Sequence, residues 1–171
     1  MLTIGVNNRN DLMNTGRTLI LGIGNQLMSD DGVGGQAIQQ LTEQTQQFSN
    51  VSCLDGGTLG HLLVGYIEEA DDLIVVDAAQ MHMEPGVVRV FENEEMDRFL
   101  NTNPYRSVHE VGLSDLMDMA LLGDHLPRRR ALIAIQPQNT DWGTELSIPV
   151  LQSLALVCEK ALELIANWRN E

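Results

Sequence analysis

Residues 20–35, with the sequence ILGIGNQLMSDDGVGG, join an apolar run to an amphipathic segment through a glycine-rich turn. This order is typical of a β-strand that leads through a tight turn into an α-helix. Such a helix start commonly binds a phosphate, because its amide groups and the helix dipole favour anions. Here two adjacent acids, Asp30 and Asp31, already occupy that position. Their charge would repel a phosphate, so the segment favours a cation or a peptide as its ligand.

Strand and helix patterns alternate along the rest of the chain. Short apolar runs predict buried strands, and segments with helical periodicity lie between them. The predicted strands cover residues 18–22, 51–55, 73–77, 86–91 and 131–136, and the predicted helices cover 33–47, 59–69, 94–100, 110–121 and 148–168. This alternation predicts an α/β fold: a single three-layer domain with a twisted, mostly parallel five-stranded sheet and helices on both faces.

The length and the ends of the chain predict one domain with a short polar extension. A chain of 171 residues fits a single domain with a substantial core. Residues 1–17 are predicted to be a flexible N-terminal extension, and 18–171 the folded domain. The first residues do not resemble a signal peptide, and no apolar run approaches the roughly 20 residues of a membrane span. A cytoplasmic location is therefore expected.

Charge and cysteine usage limit the possible partners. A net charge of −14 argues against nucleic acid and anionic membranes. The one basic run, 128–130, is predicted to lie in a loop and is too short for a nucleic-acid groove. Cys53 and Cys158 lack metal-type spacing and are predicted to be small core residues in a reducing cytoplasm. Nothing in the sequence indicates an extensive interface, so a monomer is expected.

Three aspartates stand at or just beyond predicted strand ends: Asp31, Asp55 and Asp77. In an open α/β sheet the ligand site lies beyond the carboxyl ends of the strands, so these acids should meet at one edge. Each also has a simpler structural interpretation. Asp31 could be the N-cap or a first-turn acid of the following helix, Asp55 could form an Asx turn before two glycines, and Asp77 could accept from loop amides. Capping needs only one acid, so the second carboxylate of the Asp30–Asp31 pair is available for a functional role.

His109 is the histidine best placed to join these acids. It lies in the segment SVHEVGL at a predicted helix start, where a histidine is more commonly a polar cap or surface residue. Two carboxylates and an imidazole would form a site for a borderline divalent ion. The sequence contains no nucleophile elbow and no P-loop, and Leu27 stands where a dinucleotide fingerprint needs its third glycine.

Several ordered segments resemble one family. These are GIGNQLMSDDGVG after the first strand, LDGGTLG after the second, LIVVDA at the end of the third and SVHEVGL downstream. The segment IQPQNTDWGTELS after the last strand is similar as well. Together they resemble the nickel–iron hydrogenase maturation endopeptidases, over residues 18–168.

The resemblance implies a protease that removes the C-terminal peptide of a hydrogenase large-subunit precursor after nickel insertion. It implies that Asp31, Asp77 and His109 recognise nickel carried in by the substrate, and that Asp55 helps recognise the substrate. The first of these ligands is often glutamate in the family, so the shorter Asp31 changes the reach of that carboxylate.

The mechanism of cleavage is open at this stage. Either the metal polarises the scissile carbonyl or activates water, or Asp31 or Asp77 acts as general base. We favour the metal as a recognition tag, with these two aspartates as catalytic groups. Two alternatives remain: a nickel-sensing chaperone without protease activity, and a nucleotide- or phosphate-binding module.

Overall fold

The computed structural model describes residues 16–102 and 112–170. Five strands form one sheet in the order β2-β1-β3-β5-β4, in which β4 is antiparallel to β5 and the other neighbouring pairs are parallel. The strands are β1 Thr18–Ile23, β2 Val51–Gly57, β3 Asp72–Ala78, β4 Val88–Glu92 and β5 Arg129–Ile135. The α/β fold class, with a mostly parallel five-stranded sheet, is therefore confirmed.

Five α-helices and two short 3-10 helices connect the strands. The α-helices are α1 Val33–Gln44, α2 Val64–Glu68, α3 Glu94–Thr102, α4 Leu113–Leu122 and α5 Ile148–Arg169, and the 3-10 helices are Ser29–Gly32 and Gly60–Leu63. No helix in the described part of the chain is long and apolar enough to cross a membrane. Residues 1–15 of the predicted N-terminal extension lie outside the described residues, so the division at residue 17 stays a prediction.

Side chains of the two central strands divide between two cores, because successive strand residues point to opposite faces. On one face, Ile20, Ile74 and Val76 pack with α1 and α5. On the other, Leu21 and Val75 pack with α2, α3 and α4. Burial on both faces explains why these strands are almost wholly apolar. The three-layer arrangement follows directly.

The two cysteines lie against the core that contains α1 and α5, as predicted. Cys158 is buried and Cys53 is half-buried, and both are free. Burial, and secondarily the nearby Cys53, raises the pKa of the Cys158 thiol. Its thiolate fraction at neutral pH is correspondingly small, which suits a packing residue rather than a nucleophile.

The prediction that the arginine run lies in a loop is wrong for two of its three residues. Arg129 and Arg130 begin β5. Arg129 makes a bidentate ion pair with Asp72, and Arg130 makes one with Asp97 of α3. Because these acids neutralise the guanidinium groups, the strand can begin two residues earlier than its apolar run.

Candidate active site at the carboxyl edge of the sheet

The strand order reverses direction between β1 and β3, since β2 lies on one side of β1 and β3 on the other. Such a reversal opens a crevice at the carboxyl ends of the two strands. Gly22 of β1 stands opposite Asp55 in β2 and Val76 in β3, and Asp77 follows. The aspartates of β2 and β3 and the glycine turn that leads to Asp31 therefore lie along one edge, as the parallel topology predicts.

The glycine turn is closed by backbone contacts that only glycine permits. Gly24 has φ +131°, and a Cβ there would lie 1.7 Å from the carbonyl oxygen of Asp31. A Cβ on Gly34 would lie 2.6 Å from the carbonyl oxygen of Val76. The turn, the start of α1 and the end of β3 thus pack backbone against backbone. This close packing fixes where Asp31 and Asp77 stand relative to the sheet.

The Asp31 side chain contacts the glycine turn. The backbone N–H of Asn25 donates to Asp31 Oδ2 over 2.7 Å, and the Asp31 side chain is half-buried. The residue that caps α1 is Gly32, and no side chain makes a capping hydrogen bond there. Asp31 is therefore not the N-cap of α1; it is an acidic residue in the first turn of the 3-10 helix that leads into α1.

Asp30 is the residue that sequence reasoning missed. Its side chain is 0% exposed and accepts four hydrogen bonds. Gln138 N–H and Asn139 N–H donate to Oδ2 over 2.8 and 2.9 Å, and Ser147 donates its N–H to Oδ1 and its hydroxyl to Oδ2. The doubled acid was the available signal, because one of two adjacent carboxylates on a short helix can turn inward.

Asp55 combines the turn role with a second contact. Its Oδ1 accepts from Gly57 N–H, two residues on, which confirms the Asx-turn interpretation. Its Oδ2 accepts from Gln26 Nε2 over 2.8 Å, so the side chain also holds the glycine turn. A Cβ on Gly35 of α1 would lie 3.0 Å from this carboxylate. Asp55 therefore lies on the α1 side of the sheet and is exposed there.

Asp77 is 8% exposed and belongs to the opposite face. In β3, Ile74 and Val76 pack on the α1 side and Val75 on the other, so the alternation turns Asp77 towards α2–α4. Asp55 and Asp77 therefore share an edge of the sheet but lie on opposite faces of it.

His109 lies outside the described residues. The chain is described again from Gly112, whose N–H donates to Asp115 Oδ2 as it enters α4. Helix α4 packs on the same face to which Asp77 belongs. Within 16–102 and 112–170, no three histidine, cysteine or acidic side chains form a group that could hold a metal ion. The ligand set predicted with His109 accordingly stays a prediction.

Gln136, directly after β5, is a second polar residue that the sequence did not single out. It is 3% exposed, and its Oε1 accepts from the backbone N–H groups of Met81 and Met83. Its Nε2 donates to Gln80 Oε1 over 2.7 Å. Gln136 thereby secures the segment that follows Asp77. A buried amide at a strand end is a position that hydropathy alone does not reveal.

Comparison with known proteins identifies the family. A family profile described as hydrogenase maturation protease matches residues 36–164. The hydrogenase expression/formation protein HupD of Bradyrhizobium diazoefficiens is 38% identical over 153 residues, which cover 89% of this chain and 79% of HupD.

Solved structures agree with this assignment. The hydrogenase maturating endopeptidase HybD from E. coli superimposes with a TM-score of 0.79 at 28% identity, over 88% of this chain and 93% of HybD. The [NiFe] hydrogenase maturation protease HybD from Thermococcus kodakarensis gives a TM-score of 0.73 at 31% identity, over 86% and 98% of the two chains. The chain therefore belongs to the hydrogenase maturation protease family and is a hydrolase that acts on a peptide bond.

Proposed function

We propose that this protease removes the C-terminal peptide of a nickel–iron hydrogenase large-subunit precursor, and that it does so only after nickel has been inserted. The nickel belongs to the substrate and acts as the sign that assembly is complete. Membership of the maturation protease family supports a hydrogenase precursor as the substrate. Cleavage of precursor prepared with and without nickel tests whether nickel insertion must come first.

The observation that carries the proposal is the register at the reversal point of the sheet. Gly22 lies opposite both Asp55 and Val76, so the turn that leads to Asp31 begins beside the strand whose last two residues are Asp77 and Ala78. Carboxylates from two different strand ends at one crevice are suited to a ligand that enters from outside the edge.

Nickel recognition is assigned to Asp31, Asp77 and His109. Two oxygens and one imidazole nitrogen suit a borderline divalent ion, and the thiolates of the substrate would supply the remaining ligands. Three protein ligands leave the coordination shell incomplete, so tight binding to the free protease is not required. Asp55, exposed on the other face and already bonded to Gln26 and Gly57, is assigned to recognition of the precursor chain.

Cleavage is assigned to a carboxylate of the same pair, in the manner of an aspartyl protease. Asp31 or Asp77 takes a proton from water, and the oxygen of that water attacks the scissile carbonyl carbon. The C–N bond then breaks, and the protonated carboxyl group returns its proton to the departing amine. We further propose that the reaction takes place in the cytoplasm and that the protease acts as a monomer.

The phosphate-binding alternative fits this geometry poorly. At Gly24 the turn is filled by the backbone of Asp31, whose carboxylate has taken the Asn25 N–H that an anion would use. The other predicted alternative is a chaperone that senses nickel without cutting. It would use the same site and differs from the protease only in leaving the precursor uncleaved.

The deciding experiment uses the purified protease and a large-subunit precursor, prepared with and without nickel. We expect mass spectrometry to detect loss of the C-terminal peptide only from the nickel-loaded precursor. Binding to that precursor with no change in its mass would contradict the proposed cleavage and favour the chaperone. Equal cleavage of both preparations would contradict nickel recognition but leave the protease assignment intact.

A further inference from the structure

Asp30 forms a buried junction between two loops at the carboxyl edge. One loop is the glycine turn and 3-10 helix, residues 24–32, and the other is the segment 138–147 that precedes α5. The Asp30 side chain accepts from Gln138, Asn139 and Ser147, and its own N–H donates to the carbonyl of Asn139 over 3.0 Å. The residues it joins are 108 to 117 positions away in sequence.

Further hydrogen bonds extend this junction along both loops. Gly143 N–H donates to the carbonyl of Leu27, and Ser29 N–H donates to the carbonyl of Gly143. The Ser29 hydroxyl donates to the carbonyl of Asp141 over 3.0 Å. A Cβ at Gly143 would lie 2.6 Å from Ser29 Oγ, so the Ser29 side chain packs closely against the Gly143 backbone. The two loops therefore form one hydrogen-bonded unit around Asp30.

Asp31 belongs to this unit on its other side. The Asp31 N–H donates to the carbonyl of Met28, and its carboxylate accepts from Asn25. Asp30 is wholly buried, whereas Asp31 is half-buried beside the turn. Adjacent residues of a 3-10 helix point about 120° apart, so fixing the inward side chain fixes the direction of its neighbour.

We propose that Asp30 is a positioning residue for peptide-bond cleavage: it ties the segment 138–147 to the 3-10 helix and thereby holds Asp31 in its working orientation. This inference rests on the function proposed for Asp31 above. A catalytic group displaced by about 1 Å can lose on the order of 10²-fold in rate, so positioning should affect kcat more than KM.

The test compares Asp30→Asn with Asp72→Asn in cleavage of the nickel-loaded precursor. Both replace a buried aspartate with a side chain of nearly equal size, but Asp72 is 2% exposed at the opposite edge and pairs with Arg129. In Asp30→Asn, the new amide NH₂ group replaces a carboxylate oxygen that accepts from N–H or O–H donors, so at least one of these side-chain hydrogen bonds is lost. We expect kcat to fall about 10- to 100-fold with KM nearly unchanged, whereas Asp72→Asn, measured where it is folded, should stay within about twofold of wild type.

Amide hydrogen exchange gives a readout that a merely structural role would not move. If Asp30 positions Asp31, exchange in Asp30→Asn should quicken at Asn25, whose N–H bonds to Asp31, as well as at Gln138 and Ser147. Faster exchange confined to 138–147, or a kcat equal to that of Asp72→Asn, would overturn the proposal. If Asp30→Asn does not fold, Ser147→Ala replaces it, because this variant removes only the hydroxyl that donates to Asp30 Oδ2. A kcat equal to that of the wild type in Ser147→Ala would then overturn the proposal.

The two proposals fail in different ways. A wild-type protease that never cleaves the precursor contradicts the proposed function, while exchange at Asn25 still decides whether Asp30 positions its neighbour. A wild-type protease that cleaves normally, together with an equally active Asp30→Asn, contradicts the positioning role alone.

Discussion

Two buried aspartates at opposite edges of the sheet have different kinds of partner. One edge, called the amino edge, is the one at which the parallel strands begin. There, the carboxylate of Asp72 accepts hydrogen bonds from Arg129 Nε over 2.8 Å and from Arg129 Nη2 over 2.6 Å. At the carboxyl edge, the carboxylate of Asp30 accepts hydrogen bonds from three backbone N–H groups and one hydroxyl, all of which are neutral donors. The ion pair neutralises its own charge, whereas the negative charge of Asp30 remains at the edge that carries Asp31, Asp55 and Asp77. The difference suggests that one edge stabilises the fold and the other receives a ligand.

Other arginines reinforce the amino edge. Arg130 pairs with Asp97 of α3, and Arg17 lies 3.9 Å from Asp71 at the surface. Arg129 also donates to the carbonyl of Trp168, near the end of α5. The contacts of Arg129 and Arg130 join α5 and α3 to the sheet at the end of the strands where parallel α/β folds do not place their ligands.

The largest effect should come from the carboxylates assigned to chemistry. We expect Asp31→Asn and Asp77→Asn each to slow cleavage about 10²- to 10⁴-fold, because both are assigned to nickel recognition and one of them is the general base. His109→Ala should abolish the dependence on nickel if that histidine is a ligand. Mass spectrometry of the precursor measures the rate.

Asp71→Asn is the matched control, because Asp71 is an exposed acid at the amino edge. Its cleavage rate should equal that of the wild type. If Asp31→Asn and Asp77→Asn were as active as this control, the functional division between the edges would be wrong.

At the amino edge the largest effect should be on stability. Arg129→Ala leaves Asp72 buried without its cation, and breaking such a pair costs about 3–5 kcal/mol of unfolding free energy. Urea denaturation measures the loss, and the folded fraction should keep its cleavage rate. Arg17→Ala, which breaks a pair with both partners more than half exposed, should cost no more than about 1 kcal/mol. Equal losses of unfolding free energy in Arg129→Ala and Arg17→Ala would contradict the expectation that the buried ion pair matters more than the exposed one.

Gly24→Ala should affect both stability and activity. Its φ of +131° and the 1.7 Å approach to the Asp31 carbonyl mean that a methyl group must displace the turn. We expect a loss of about 1–3 kcal/mol for the strained backbone, with slower cleavage because Asp31 moves. Gly65→Ala in α2 is the control, since nothing lies within 4 Å of a Cβ there. That variant should be as stable as wild type or up to about 1 kcal/mol more stable, and fully active.

The smallest effect is expected at Gln26. Gln26→Ala removes the hydrogen bond to Asp55 Oδ2, which is worth about 0.5–1.5 kcal/mol, and so should raise KM for the precursor about two- to tenfold. Because Gln26 is exposed, the unfolding free energy should fall by no more than about 0.5–1.5 kcal/mol, the contribution of that one hydrogen bond. Gln39→Ala, which replaces an exposed glutamine of α1, provides the baseline value of KM. An unchanged KM in Gln26→Ala would argue against Asp55 as a recognition residue.

Much of the fold was predictable because local patterns decided it. Apolar runs and helical periodicity predicted all five strands and α5 to within about two residues, and parallel topology predicted the common edge of the aspartates. The loop predicted for Arg129 and Arg130 was wrong because ion pairs with Asp72 and Asp97 join residues far apart in sequence. Hydropathy treats such arginines as surface residues and cannot detect their partners.

The sequence by itself determined the fold class, the glycine turn and the family, since each depends on residue order along short segments. Only the tertiary structure decided which acid of the Asp30–Asp31 pair is buried. It also decided that Asp55 belongs to the α1 face while Asp77 belongs to the other. The physical reason is that the donors to Asp30 come from residues 138–147, and that a side chain's face depends on strand register. Both are set by contacts between distant segments, which the local sequence does not contain.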